Sequence, residues 1–310
     1  MRPNIAVEVF APAKVNLTLH VTGQREDGYH LLDSLVAFAP FGDVLHMSLS
    51  DVASLRITGP ERAGVPEDGR NLVARAISLH AQASGAQGPI AMVLEKQLPA
   101  ASGIGGGSSD AAAALRGAMA LAQTDARAQV DGGLSLRVGE LDLLALGADL
   151  PMCYHPAPAR VRGIGERLDK ITLPPLPAVL VNPRVEVATP AVFRALASKT
   201  NPPSPDQLPD WRDAAALIAW LGTQRNDLEA PAVAIAPVIG EVLAALNETA
   251  DLARMSGSGA TCFGLYQSQT GAAQAADAIA RAHPEWWVRH GVLGDQSERA
   301  AAKPCSPERN

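Results

Sequence analysis

Apolar and polar positions alternate from residue 7 to 22, which predicts one or two strands crossing Ala11-Pro12-Ala13-Lys14. Shorter alternating runs at 44–49 and 55–58 predict further strands divided by polar turns. Over 71–83 the period changes, and Leu72, Ala76 and Leu79 fall on one helical face. The apolar run 90–98 predicts a strand and the Ala-rich run 111–122 a helix. A further helix is expected over 139–146, stopped at Gly147 and Pro151. Pro156 and Pro158 mark the first break. Beyond it come strand-like runs at 160–168 and 178–181 and helical runs at 189–197, 214–221, 237–247 and 272–282. Pro202, Pro203, Pro205 and Pro209 make 200–209 a surface loop. Strands and helices mix without a regular βαβ alternation, so the expected class is α+β. No internal repeat is visible.

A length of 310 residues fits about two domains, divided here as 1–157 and 158–294. The polar, proline-containing stretch 295–310 is expected to be a disordered tail. Hydrophobic residues make up 47% of the chain and aromatics 4%, so the core must be built from Ala, Leu, Val and Ile. A net charge of −6 argues against non-specific nucleic-acid binding, yet leaves room for a small anion held by local cations. Cys153, Cys262 and Cys305 have no close spacing; they form neither a disulfide framework nor a metal knuckle and fit a reducing cytoplasm. Only Arg2 precedes the first alternating run, which does not read as a secretory signal, and no apolar run is long enough for a membrane span.

The run Pro99-Ala100-Ala101-Ser102-Gly103-Ile104-Gly105-Gly106-Gly107-Ser108-Ser109-Asp110 links the strand at 90–98 to the Ala-rich helix. Its glycines let backbone N–H groups approach a ligand closely, and the helix N-terminus adds partial positive charge. The pattern predicts an anion site, with phosphate the usual occupant. It lacks the Gly-Lys-Ser/Thr ending of a Walker loop. A flexible linker or plain helix capping by Ser108, Ser109 or Asp110 are the bland alternatives. Capping needs one such residue and leaves three consecutive glycines unexplained.

Other residues stand out against their surroundings. Only five of the 26 basic residues are lysines, and Lys14 sits inside an apolar segment beside Asn16. It is either a buried cation with a partner or a stem that snorkels to water from a strand edge. Asp149, in Leu146-Gly-Ala-Asp-Leu-Pro151, is expected at a helix C-terminus, where the dipole disfavours an acid. It suits a general base or a lysine partner, but also an ordinary turn before proline. Tyr29 and His30 could stack on and hydrogen-bond a planar ring, or form a half-buried aromatic turn. A second Gly/Ser turn at 254–263 could complete the pocket or be only a hairpin.

In this order, Ala11-Pro-Ala-Lys-Val-Asn16, residues 99–109 and Met255-Ser-Gly-Ser-Gly259 resemble the three motifs of the GHMP kinase superfamily, named for galactokinase, homoserine kinase, mevalonate kinase and phosphomevalonate kinase. Residues 12–17, Gly23-Gln-Arg-Glu-Asp-Gly-Tyr-His30, 146–151 and Thr189-Pro-Ala-Val-Phe193 are most similar to the branch that phosphorylates 4-diphosphocytidyl-2-C-methyl-D-erythritol in the non-mevalonate isoprenoid pathway. The resemblance covers nearly all of 11–293. It implies a two-domain α+β enzyme with its active site in the interdomain cleft. ATP phosphates would lie in the 99–109 loop with Mg2+ bridging them, and no protein metal ligand is assigned. The acceptor would be the 2-hydroxyl of a cytidine diphosphate-linked sugar alcohol. Asp149 matches the general base and Lys14 its cationic partner. Asn16 and Thr189 match substrate contacts, Tyr29 and Phe193 the aromatics that sandwich cytosine, and His30 the reader of its polar edge. Asn71 and Lys96 match positions near the adenine. The resemblance further implies a cytoplasmic monomer or homodimer with no nucleic-acid or membrane partner. A homoserine- or mevalonate-type kinase, or a nucleotide-binding regulator without turnover, are the competing readings. Ala101 and Ser102 depart from glycines in some relatives, which would stiffen the first turn of the loop.

Overall fold

The computed structural model describes residues 6–84, 88–124 and 142–306. In chain order the first half contains β1 (Ala6–Asn16), β2 (His20–Gln24), β3 (His30–Leu49), β4 (Ser54–Thr58), α1 (Leu72–Ser84), β5 (Ile90–Glu95) and α2 (Gly106–Thr124). A 3-10 turn at Leu143–Ala145 then leads to the short helix α3 (Leu150–Tyr154). Next come β6 (Ala159–Gly163), β7 (Arg167–Lys170), β8 (Leu176–Asn182), α4 (Thr189–Arg194), α5 (Ala214–Leu221), α6 (Glu229–Ile235) and α7 (Val238–Asn247). The chain ends with β9 (Leu252–Met255), β10 (Cys262–Leu265), α8 (Gln269–Ala282), β11 (Trp287–Leu293) and β12 (Lys303–Cys305).

Two sheets organise the molecule. The first runs β12-β1-β3-β5-β4, with β2 and β6 also pairing with β3 and β7 with β6. The second runs β11-β8-β10-β9 and is antiparallel throughout. Among the described strands the only parallel pair is β4 with β5, joined through the α1 crossover. Three cores result. One lies between the first sheet and α1, α2 and α3; a second packs α4, α6, α7 and α8 on the other sheet. The third joins the sheets, with Val15, Leu17 and Leu35 meeting Leu180, Phe263 and Trp287. Among the described residues no helix is long and apolar enough to cross a membrane.

Three expectations change. β6 and β7 lie beyond the break at 156–158, yet β6 pairs with β3 over Leu32–Val36, so that break falls inside the first sheet. Residues 295–306, expected to be disordered, are docked: Gln296 N–H donates to Pro156 O, Ala300 is buried, and β12 pairs with β1. The ladder with β1 supplies the main-chain partners that composition could not foresee; residues 307–310 lie outside the described range. Of the helix expected over 139–146, residues 139–141 also lie outside it, and the rest supplies only the 3-10 turn.

β1 shows how the fold aims a side chain. Val7, Val9 and Ala11 face the α1/α2 core, but the register with β3 shifts between Pro12 and Lys14. Beyond the shift Ala13, Val15 and Leu17 turn into the third core. Lys14 and Asn16 are instead paired with Phe38 and Val36, which belong to the α1/α2 side. An irregularity of this kind flips the alternation and re-aims every side chain beyond it. It points a lysine at α2 and α3.

Candidate active site

Lys14 is buried, which settles the snorkelling alternative. Its ammonium donates to Asn16 Oδ1 at 2.7 Å and pairs with Asp149 Oδ2 at 3.1 Å. Asn16 is used at both ends, because its Nδ2 donates to Ser34 Oγ at 2.8 Å. Asn16 therefore fixes the lysine head. Asp149 does not end a helix, as expected; it is the N-cap of α3, with Pro151 in the first turn. Proline is favoured there because its missing N–H is not needed, so the residue read as a stop is a start. The Asp149 side chain makes no capping bond, and 37% of it is exposed. It is anchored on one side by Lys14 and open on the other, beside a helix terminus that favours negative charge.

The glycine run wraps under this pair. Gly103 and Gly105 adopt φ of 75° and 67°, and α2 begins at Gly106. A Cβ on Gly105 would sit 3.2 Å from Lys14 Cε at a φ of 67°, so glycine lets the loop pass the lysine without strain. Ser109 is bound inward, its N–H to Gly105 O at 2.8 Å and its hydroxyl to Pro12 O at 2.6 Å. The N–H groups of Gly106, Gly107 and Ser108 open the helix and have no intrahelical acceptor. Gly107 is exposed and Ser108 half-buried. Ala101 adopts φ 47°, a conformation that glycine takes freely and alanine only under strain.

The second Gly/Ser turn lies against the first. Ser256 Oγ donates to Gly103 O at 3.1 Å and accepts from Asn16 N at 3.0 Å, while Thr261 N donates to Ser102 O at 3.1 Å. Thr189, at the start of α4, shares a 2.7 Å hydroxyl contact with Ser258. A Cβ on Gly103 would lie 2.5 Å from Ser256 O. The two turns are thus interlocked across the junction of the sheets.

Lys96 and Asn71, matched to positions near the adenine, are both tied into the protein itself. The Lys96 ammonium is buried between Asp43 and Asp110, 2.7 Å from Asp110 Oδ2. Burial alone would lower it, but the two carboxylates together raise it above the ordinary lysine range. Burial raises the Asp110 carboxyl well above its usual range against the pull of Lys96. Asp43 also accepts from the main-chain N–H of Gln97 and Leu98. A Cβ on Gly106 would be 3.6 Å from Lys96 Nζ, so this cluster is the floor beneath the loop. Asn71 caps α1, its Oδ1 accepting from Val73 N at 2.9 Å and its Nδ2 donating to Pro66 O at 2.8 Å. Asp43 carried no sequence signal, being one acid in an apolar strand; its role appears only once residues 43, 96 and 110 meet.

His30 and Phe193 come together from β3 and α4, with ring centroids 4.5 Å apart and planes 22° from parallel. Burial, and then Lys199, hold the His30 imidazole below its ordinary pKa. Its Nε2 is buried with no partner among the described residues. Tyr29 is not on that stack: it is 58% exposed and lines a groove with Asp27, Gly147, Ala148 and Ile164. His30, rather than Tyr29, faces Phe193. Among the described residues no three His, Cys, Asp or Glu side chains converge as a metal cage.

Comparison with known proteins shows the family. The family described as GHMP kinases N terminal domain matches residues 71–156, and that described as GHMP kinases C terminal matches 206–285. The 4-diphosphocytidyl-2-C-methyl-D-erythritol kinase of Roseobacter denitrificans is 51% identical over 300 residues, covering 96% of this chain and 97% of the relative. That of Ruegeria pomeroyi is 55% identical over 293 residues, covering 93% and 99%. A crystal structure of 4-(cytidine 5'-diphospho)-2C-methyl-D-erythritol kinase superposes with a TM-score of 0.68 at 37% identity, covering 93% of this chain and 99% of that one.

Proposed function

The chain belongs to the GHMP kinases, in the 4-diphosphocytidyl-2-C-methyl-D-erythritol kinase family, and from that membership we propose the reaction and the part each residue plays in it. The enzyme transfers the γ-phosphoryl group of ATP to the 2-hydroxyl of 4-diphosphocytidyl-2-C-methyl-D-erythritol. The observation that carries this reading is the Lys14–Asp149 pair at the mouth of the glycine loop. Phosphoryl transfer asks the protein for positioning and charge rather than covalent chemistry. The open N–H groups of Gly106, Gly107 and Ser108 hold the phosphates. Asp149 accepts the proton of the acceptor hydroxyl as its oxygen attacks phosphorus. Lys14, fixed by Asn16, keeps the carboxylate oriented and supplies positive charge as negative charge moves onto the transferring oxygens.

The His30–Phe193 stack takes the cytosine, Phe193 by its face and His30 by its unpartnered Nε2. Tyr29 closes on the base from its exposed position, and Thr189 lines the acceptor site beside Ser258. Lys96 and Asn71 act as braces of the nucleotide site. Mg2+ would be carried in by the nucleotide, with the half-buried Ser108 at the start of α2 the protein oxygen nearest the phosphates, and Asp149 left free as the base. It would supply positive charge against the phosphates as charge develops there. The buried thiols of Cys153 and Cys262, which form no disulfide, fit a reducing cytoplasm.

An ATP-consumption assay that offers the cytidyl conjugate, homoserine and mevalonate in parallel tests the reading. Turnover is expected with the conjugate alone, and free cytidine nucleotides should compete with it. Turnover of another acceptor, or no competition by cytidine nucleotides, would refute the assignment.

A further inference from the structure

Arg116 sits on α2, ten residues beyond its first glycine, and none of its donors meets a carboxylate among the described residues. Nε donates to Ala300 O at 2.9 Å and Nη2 to Phe10 O at 3.0 Å. Nη1 donates to Cys153 O at 3.0 Å and to Tyr154 O at 3.3 Å. The Tyr154 ring lies 6.0 Å from the guanidinium carbon. Burial lowers the guanidinium to about 10, which leaves it charged at neutral pH. A cation in such a place is costly unless its N–H groups are satisfied, and here three separate segments satisfy them.

Those segments are not arbitrary. Cys153 and Tyr154 are the last residues of α3, where main-chain carbonyls lack helical partners and a cation is favoured. Asp149 is the N-cap of the same helix, about 7 Å away at helical rise. Phe10 lies on β1 four residues before Lys14. Ala300 belongs to the docked C-terminal segment, whose Gln296 also bonds Pro156 just after α3. A five-residue helix cannot hold its own direction in water. Its orientation must be imposed from outside.

We propose that Arg116 is a positioning residue for phosphoryl transfer, gripping the C-terminal end of α3 and the Lys14 strand so that Asp149 meets Lys14 over the glycine loop. The inference rests on the reading of Asp149 as the base. A filler role would be met by any side chain of similar volume. A positioning role requires the donors. Displacement of a base by a fraction of an ångström lowers kcat more than it changes ground-state binding.

The test compares Arg116→Met and Arg116→Lys with Val242→Ala, a change in the core packed by α4, α6, α7 and α8, which contains no residue of α3. For Arg116→Met, kcat should fall about thirtyfold while the KM for ATP stays within about threefold. Within 150–154, hydrogen exchange of the non-proline amides, Cys153 foremost since its N–H donates to Asp149 O, should accelerate about tenfold or more, with α1 unchanged. Arg116→Lys should recover part of both, since an ammonium offers three donors but not the planar fork. Val242→Ala should lower Tm without altering kcat or exchange at 150–154 at temperatures where it is folded. Wild-type protection of 150–154 in Arg116→Met, or a kcat within about twofold of wild type, would overturn the proposal. Should Arg116→Met not fold, Arg116→Lys decides by the same two readouts. If the wild-type enzyme turns over no conjugate, the proposed function fails, and the exchange measurement still decides whether Arg116 holds the helix.

Discussion

At the scale of single residues, the site depends on a carboxylate with one partner and one open side. Asp149 pairs with Lys14, and Lys14 is held by Asn16, so a change at any of the three disturbs the others. Asp149→Asn keeps the volume and removes no capping bond, since the Asp149 side chain makes none, but it cannot accept a proton at neutral pH. We expect kcat to fall about a thousandfold or more, within the range for loss of a general base, while ATP affinity changes little. Equilibrium binding of an ATP analogue and steady-state kcat check the two halves separately. Near-normal turnover would remove Asp149 from the base role; lost nucleotide binding would mean that its charge serves the phosphates. The residue types of this trio were legible in the sequence, because a lysine in an apolar strand and an aspartate in an apolar turn both ask for a partner. Their contact was not legible: 135 positions separate them, and the irregularity that re-aims Lys14 depends on pairing with β3.

At the scale of elements, the glycine loop and α2 rest on a buried floor that the sequence did not announce. The loop itself was legible, since glycine freedom and helix-start chemistry are local properties. Its support is non-local: Asp43 comes from β3, Lys96 follows β5, and Asp110 lies inside α2. The alternation predicts β3 only at 44–49, because Asp33, Ser34, Pro40 and Gly42 break the apolar pattern of this 20-residue strand. Tertiary partners repair each polar break, Arg160 at Asp33 and Asn16 at Ser34. Lys96→Met separates the two assignments for that residue. As a brace, its loss leaves two carboxylates buried without a cation, which costs about 3–5 kcal/mol. Urea unfolding should show a lower midpoint and an unfolding free energy smaller by that amount. A variant with wild-type stability and a raised KM for ATP would instead make Lys96 a direct nucleotide contact.

At the scale of the whole molecule, the two sheets are tied by segments that look peripheral in sequence. The proline-rich run 200–209 is a loop, as expected, but it is strapped down: Ser204 is buried and its N–H donates to Asp33 Oδ2 at 3.0 Å. Arg160 pairs with the same carboxylate and donates to the carbonyls of Ser204, Pro205 and Asp206. The strap closes over His20, whose Nδ1 lies 3.2 Å from Ser204 Oγ. Proline composition revealed a loop; it could not reveal the ion pair that pins it, because Asp33 and Arg160 meet only across the β3–β6 ladder. Burial is the first cause that pushes the His20 imidazole down to about 4, with Arg225 adding to it and Asp227 and Asp33 opposing. Burial also lowers His30, His80 and His155. Linkage sets the sign. Between pH 6.5 and 4 an unfolded chain protonates His20 and the native protein does not, so the unfolded state binds more protons and stability falls as pH falls. His20 alone accounts for roughly 2 kcal/mol lost between pH 7 and pH 5. Above pH 7 its contribution is flat. Tm measured across this range should therefore decline toward pH 5, and His20→Gln should flatten the decline while retaining a polar contact to Ser204. An unchanged slope in His20→Gln would show that the strap is not what makes the protein acid-sensitive, and would transfer that role to the other lowered histidines.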